Sequence, residues 1–350
     1  MGIGGFIGDF NMKKLSIIFS FFVLLLASFF TTDLTTTQAA NLNYTVSPDL
    51  PDNQADSKIS YFDLNVKPGD TQKLTFHINN TDNSDHKYLI SINRASTNVN
   101  GVIDYSKHGT KADSSIQADI EKMVPQPKTV SVPANTDKKE TFELKVPEKE
   151  FKGIVLGGIQ IKLLDSPTAK TSDKKGVTIN NQYAYVIGLQ LQEGSEKFQP
   201  HLNLRYVKSK QINYQNYIIA NIQNDQPAII NKIKADAKVT KEGSEEPVYK
   251  LEKDGLDMAP NSNFDLPVST DNTPLKSGNY TLHLKLTEKD KTWNFTKDFN
   301  ISTTKAKQMN KTAVGETNTK NNWPMMAVLA FLILIIAALL TIIIKSKNKK

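Results

Sequence analysis

Leu74-Thr75-Phe76-His77-Ile78 places an apolar side chain at every second position and a polar one between. Successive side chains of an extended chain point to opposite faces, so this stretch reads as a strand with one face buried and one in water. The same alternation returns at Tyr88, Ile90 and Ile92, at Phe142, Leu144 and Val146, and at Ile159, Ile161 and Leu163. Tyr183-Ala-Tyr-Val-Ile-Gly-Leu-Gln-Leu191 is longer and more apolar, which suits a central strand. Pro68-Gly69, Asn100-Gly101 and the region of Pro147 supply turn chemistry between the runs. One short helix is expected at Ser115 to Val124, where Ile116, Ile120 and Met123 share a face.

The pattern breaks between Gln192 and Gln199, at Glu193-Gly194-Ser195-Glu196, and then resumes. Runs follow at Leu202, Leu204 and Tyr206, at Tyr217 to Ile222, and at Ile233, Ala235, Ala237 and Val239. Phe264, Leu266 and Val268 come next, then Tyr280, Leu282, Leu284 and Leu286, and last Trp293, Phe295, Phe299 and Ile301. About six or seven strands in about a hundred residues is the size of an immunoglobulin-like sandwich. The fold class expected is therefore all-β, with two immunoglobulin-like β-sandwich domains in tandem over residues 41–195 and 196–303. From Thr303 to Asn322 the chain is Lys, Thr, Asn and Gln with few apolar residues. Residues 304–322 read as a flexible stalk.

Both ends point to a membrane. Pro324 to Ile344 is apolar without a charge. About 21 residues at roughly 1.5 Å each span roughly 30 Å, the hydrocarbon thickness of a bilayer. Trp323 suits the interface, and Lys345, Lys347, Lys349 and Lys350 mark the cytoplasmic side. Residues 323–344 thus read as one transmembrane helix and 345–350 as a basic cytoplasmic tail. Residues 1–40 read as a signal peptide with its start at Met12: Lys13 and Lys14, then an apolar run from Leu15 to Phe30, then Thr37-Gln38-Ala39-Ala40. An uncleaved anchor is the alternative. Either way the middle of the chain is exported.

Composition excludes several function classes. There is no cysteine, so neither disulfides nor thiolate metal sites are available. Of the formal charge of +7, four units belong to the lysine tail. Lys13 and Lys14 cancel Asp9 and Asp33, leaving about +3 on the exported part, too little to argue for nucleic acid. The five histidines are scattered, and none forms a paired metal spacing. No nucleophile elbow, phosphate loop or convincing carboxylate pair is present. No Leu-Pro-x-Thr-Gly sorting signal precedes the apolar run. The expectation is a non-enzyme with no cofactor and no metal. Asn98, Asn100, Asp104 and Tyr105 gather on a glycine turn and are the candidate ligand-binding residues, since amides, a carboxylate and an aromatic ring suit a glycan or peptide. A turn capped by its own Asn side chains is the competing reading.

Several motifs resemble the WxL-interacting proteins of Gram-positive bacteria. They include Asn43-Tyr-Thr-Val-Ser-Pro, Tyr61-Phe-Asp-Leu-Asn-Val-Lys-Pro-Gly, Thr97-Asn-Val-Asn-Gly-Val-Ile-Asp-Tyr and Phe151-Lys-Gly-Ile-Val-Leu-Gly-Gly-Ile. Ala220-Asn-Ile-Gln-Asn-Asp-Gln-Pro and Met258-Ala-Pro-Asn-Ser-Asn-Phe continue the likeness downstream. The chain has no Trp-x-Leu of its own. The resemblance implies a peptidoglycan-binding domain, a host-binding domain and a C-terminal membrane helix. It implies a cell-surface adaptor whose partners are peptidoglycan, WxL-domain surface proteins and host extracellular matrix proteins. The alternatives are an enzyme that modifies wall polymer and a structural subunit of a surface complex.

Overall fold

The computed structural model describes residues 43–164 and 183–313. The expected signal peptide, membrane span and basic tail lie outside them. Among the described residues, no helix is long and apolar enough to cross a membrane.

The described chain is all-β. Its upstream part runs β1 (Tyr44–Asp49), β2 (Phe62–Asn65), β3 (Thr71–Asn80), β4 (His86–Arg94), β5 (Ser96–Thr97), β6 (Ile103–Asp104), α1 (Ile120–Met123), β7 (Lys128–Val132), β8 (Thr136–Lys145), β9 (Ile154–Leu163) and β10 (Ala184–Gln192). One sheet has the order β1-β3-β8 and the other β2-β10-β9-β4-β7, with β5 and β6 as a separate hairpin. The alternating residues meet between the sheets. Leu74, Phe76, Ile78 and Leu144 on one side and Phe62, Leu64, Ile90, Ile161, Leu189 and Leu191 on the other are buried. Tyr44 ties the layers together. Its hydroxyl donates to the Ile161 carbonyl at 3.0 Å, and its ring lies 4.9 Å from that of Tyr88. Burial pushes the Tyr44 pKa up to about 12, so the phenol keeps the proton that this bond needs.

The downstream part runs β11 (Leu202–Ile212), β12 (Gln215–Asn224), β13 (Ile230–Lys241), β14 (Pro247–Met258), β15 (Ser262–Ser269), β16 (Gly278–Glu288), β17 (Lys291–Ile301) and α2 (Thr303–Thr312). Its sheets are β11-β12-β15 and β14-β13-β16-β17. Ile218, Ala220, Ile222, Leu266 and Val268 face Ala235, Ala237, Val239, Leu282, Leu284 and Leu286 in one core.

The two parts repeat one strand plan. In chain order β1, β3, β4, β7, β8, β9 and β10 hold the sheet positions that β11 to β17 hold downstream. A shared corner supports the equivalence. The buried Asn80 amide donates to the carbonyls of Ser84, Val132 and Pro133, and its oxygen accepts from the Asp82 amide. Asn224 does the same with Ala228, Ala259 and Gln226. Asn135 then donates its backbone N–H to the Asp82 carbonyl, as Asn261 does to that of Gln226, both at 3.0 Å. Asn135 and Asn261 sit at φ 53° and 46°, a left-handed region that asparagine tolerates.

Two local expectations need correction. The helix expected at Ser115 to Val124 is only Ile120–Met123, because the Asp119 side chain accepts from the Glu121 amide and starts the helix there. The stretch expected to be stalk opens with α2, whose Ala306 and Met309 are buried in the second core. Two apolar side chains three apart suffice to dock one helical face, although the composition is polar. The rest of that stretch lies outside the described residues.

Candidate functional site

Asn98, Asn100, Asp104 and Tyr105 fall on or beside the β5–β6 hairpin. The Asn98 side chain accepts from the backbone amides of Asn100 and Val102, at 2.9 and 3.2 Å, and so caps its own turn. Gly101 holds φ 70° at the tip, and a Cβ there would meet the Leu256 side chain at 2.4 Å. The tip is docked on the downstream sandwich: Asp257 donates its amide to the Gly101 carbonyl, and Thr97 and Ser262 share a hydroxyl bond at 2.9 Å. Asp104 accepts from the Ser106 amide. Asn100 stays exposed. Only the Asn98 side chain caps the turn; Asp104 serves the following bend at Ser106, and Tyr105 points elsewhere.

Tyr105 lies over the outer face of the five-stranded sheet, held by Asn93, whose amide donates to the Tyr105 carbonyl at 2.7 Å. Gly158 of β9 and Gly188 of β10 are direct cross-strand partners. A Cβ on Gly158 would come within 2.9 Å of the Tyr105 ring, and one on Gly188 would touch the Tyr61 ring at 3.4 Å. The two glycines therefore seat two tyrosine rings side by side. Burial, and then the neighbouring Tyr61, raise the Tyr105 pKa. Tyr61 is 39% exposed and the adjacent Val186 41%. Gln190 donates to Asp63 at 2.7 Å on one side of the pad. Gln160, opposite Val186, stands on the other. An aromatic floor with amides and a carboxylate at its rim can stack on an apolar ring face while bonding to polar groups at that ring's edge.

A second cluster joins the sandwiches. Asp113, on the loop before α1, accepts from Gln223 at 2.7 Å, from Asn263, and from Arg205 at 3.3 Å, all on the downstream sheet. It also accepts the Ser115 amide and hydroxyl. Burial alone would raise its pKa, but the donors Ser115, Gln223 and Asn263 outweigh it and hold the carboxyl below the usual range. Arg94 anchors the same loop through Asp119 and Glu121. Ala95, Leu156 and Ala259 form a small buried cluster bridging both parts. Sequence reasoning missed Asp113. Its donors on the downstream sheet lie 92 to 150 residues away, so no local pattern marks its role there.

Among the described residues, no group of three or more His, Cys, Asp or Glu could hold a metal ion. His77 binds Asp137 and Asp49 across the exposed face of β1-β3-β8, at 2.5 and 3.3 Å. The Asp137 bond raises its pKa.

Two family models match the chain in succession, and both describe modular binding domains. Residues 44–163 match the WxL Interacting Protein peptidoglycan binding domain, and residues 174–311 match the WxL Interacting Protein host binding domain. Together they take in most of the chain, which belongs to the WxL-interacting protein family. The second match begins upstream of β10, although β10 sits between β2 and β9 in the first sandwich. No curated protein matches the chain significantly. Among solved structures, the chaperone YadV is 10% identical, covering 74% of this chain and 100% of its own at a TM-score of 0.29. The class 5 fimbriae chaperone CfaA is 14% identical, covering 73% and 99% at 0.28. The PapD-like domain of human CEP192 is 12% identical, covering 48% and 97% at 0.26. Similarity at these scores says nothing of function.

Proposed function

We propose that this protein is a non-catalytic adaptor of the cell surface. It is exported by its N-terminal segment and held by a single C-terminal span, with both sandwiches outside the cytoplasm. Each sandwich is immunoglobulin-like, three strands facing four, with β2 added to the first. The first engages peptidoglycan. The second engages host extracellular proteins or holds a WxL-domain protein. The observation that carries this reading is the match of two binding-domain models, in order, along one chain. The Tyr61–Tyr105 pad is the surface on which we place the glycan. Peptidoglycan is a chain of β-linked N-acetylated hexosamines, whose equatorial substituents leave C–H faces to stack on the rings and polar edges for Gln160, Gln190 and Asp63.

Sedimentation with purified sacculi tests the proposal. The full chain in mild detergent is expected to pellet with sacculi without added metal and to release no soluble sugar or peptide. The Tyr61→Ala change is expected to weaken pelleting roughly tenfold, as loss of an aromatic anchor does. No pelleting by the parent chain would overturn the wall-binding reading. Steady release of fragments would make the protein an enzyme. Normal pelleting by the Tyr61→Ala protein would remove only the pad.

A further inference from the structure

The two sandwiches share a strand plan and differ at one edge. In the first, β2 runs parallel beside β10, with Phe62 opposite Leu189 and Leu64 opposite Leu191. With β2 in place the inward row of β10, made of Ile187, Leu189 and Leu191, is at most 5% exposed. In the second, β17 takes the place of β10, and among the described residues it pairs only with β16. Its inward row is Trp293, Phe295, Lys297 and Phe299, opposite Leu286, Leu284, Leu282 and Tyr280 of β16. The β16 residues are buried, whereas the three aromatic residues of β17 pack on the core and remain only partly covered. Among the described residues no strand pairs with that edge as β2 pairs with β10, although β11 of the facing sheet runs near it.

We propose that the outer edge of β17 receives an extended segment of a partner protein, running parallel to β17 as β2 runs to β10. Its alternate apolar side chains would cover Phe295 and Phe299, and an acidic side chain would lie beside Lys297. An edge strand offers a row of unpaired backbone donors and acceptors, and an added strand gains affinity from them and specificity from alternate side chains. Lys297 sets the chemistry. It points along the inward row and forms no ion pair among the described residues. A wholly apolar strand laid over it would trap an unpaired ammonium, which is costly, whereas a carboxylate would pair with it. A second copy of this chain fits poorly, because every inward residue of β17 is aromatic, aliphatic or lysine, so no register of β17 against itself sets a carboxylate opposite Lys297. The template is internal to the molecule, so the proposal stands apart from the peptidoglycan reading.

Hydrogen exchange on the full chain tests it, with two synthetic peptides as probes. One copies residues 61–67, Tyr-Phe-Asp-Leu-Asn-Val-Lys, and the other carries Phe62→Glu. Tyr185 faces Ile161 and Ile90 as Trp293 faces Leu286 and Ala235, so Leu189 corresponds to Lys297; in the β2 register position 62 falls beside Lys297 and Leu64 beside Phe299. The Phe62→Glu peptide is expected to slow exchange across residues 291–301 and to bind about tenfold more tightly than the parent peptide. Lys297→Glu in the protein should reverse that preference. Protection of residues 291–301 with the charge dependence supports the proposal. No protection there from either peptide, protection confined to residues 184–192 through displacement of β2, or a preference that Lys297→Glu leaves unchanged would each overturn it.

Discussion

The Asp113 carboxylate is 2% exposed and takes its hydrogen bonds from both sandwiches. Truncation to alanine would leave Gln223, Asn263 and part of Arg205 facing a site with no acceptor. Removing one partner from such a buried, charged network costs about 3 kcal/mol. Asp113→Ala is therefore expected to leave both cores intact and loosen their contact, seen as faster proteolysis of residues 106–118 and a calorimetric melt that splits in two. A single melt unchanged from the parent would show that Asp113 is not the clasp. The pH dependence has a definite sign. The folded pKa is depressed, so the stabilisation is present above the ordinary carboxylate range and is lost as pH falls through the folded value, below about pH 4. Legibility at this scale was uneven. Tyr105 stood out because an aromatic ring beside a glycine turn invites a surface role. Its companion Tyr61 did not, because the two rings meet only when β9 and β10 bring Gly158 and Gly188 together.

The helix α2 shows how an element can be hidden by composition. Ser302 caps it by accepting from the Lys305 amide. Asn310 then clasps Leu275, accepting its amide and donating to its carbonyl, both at 2.9 Å. Met309 is 4% exposed. Met309→Ala should cost about 2 kcal/mol of second-sandwich stability, the low end for a buried methionine near a chain end. In a domain of this size that lowers the melting midpoint by roughly 10 °C. A shift within experimental error would mean that the helix adds nothing to the core. The strands were legible wherever one face is buried, since period-two alternation needs only that contrast. β14 was not. It is an edge strand with Lys250, Glu252, Lys253 and Asp254 in its middle, and Gly255 at φ 71° interrupts its register. The inward row passes from Tyr249, Leu251 and Lys253 to Leu256 and Met258 across Gly255, so no single period of two runs through the strand.

The alternation on either side of Glu193 to Glu196 was readable, because it is a local signal. The repeat of one plan was not, since it lives in backbone corners around Asn80 and Asn224 that no period records. Nor was the join between the parts, where Thr97, Gly101 and Asp113 reach partners far along the chain. In the proposed arrangement the first sandwich grips the wall and the chain enters the membrane beyond α2, so every relative movement of wall and membrane becomes tension. The last described element, α2, meets that tension first. Pulled from its end, a helix docked by Ala306, Met309 and Asn310 yields one contact at a time, whereas paired strands pulled lengthwise must give up many bonds at once. Drawing the 10 residues of α2 out from helical to extended rise would release roughly 20 Å of chain. Single-molecule pulling should show a small reversible step of that size at low force, before either sandwich opens. Its absence would mean that the helix holds until the sandwich fails. A surface protein built this way would carry slack at its base, and the wall could move against the membrane by twice the ~10 Å spacing of two packed sheets without unfolding what it holds.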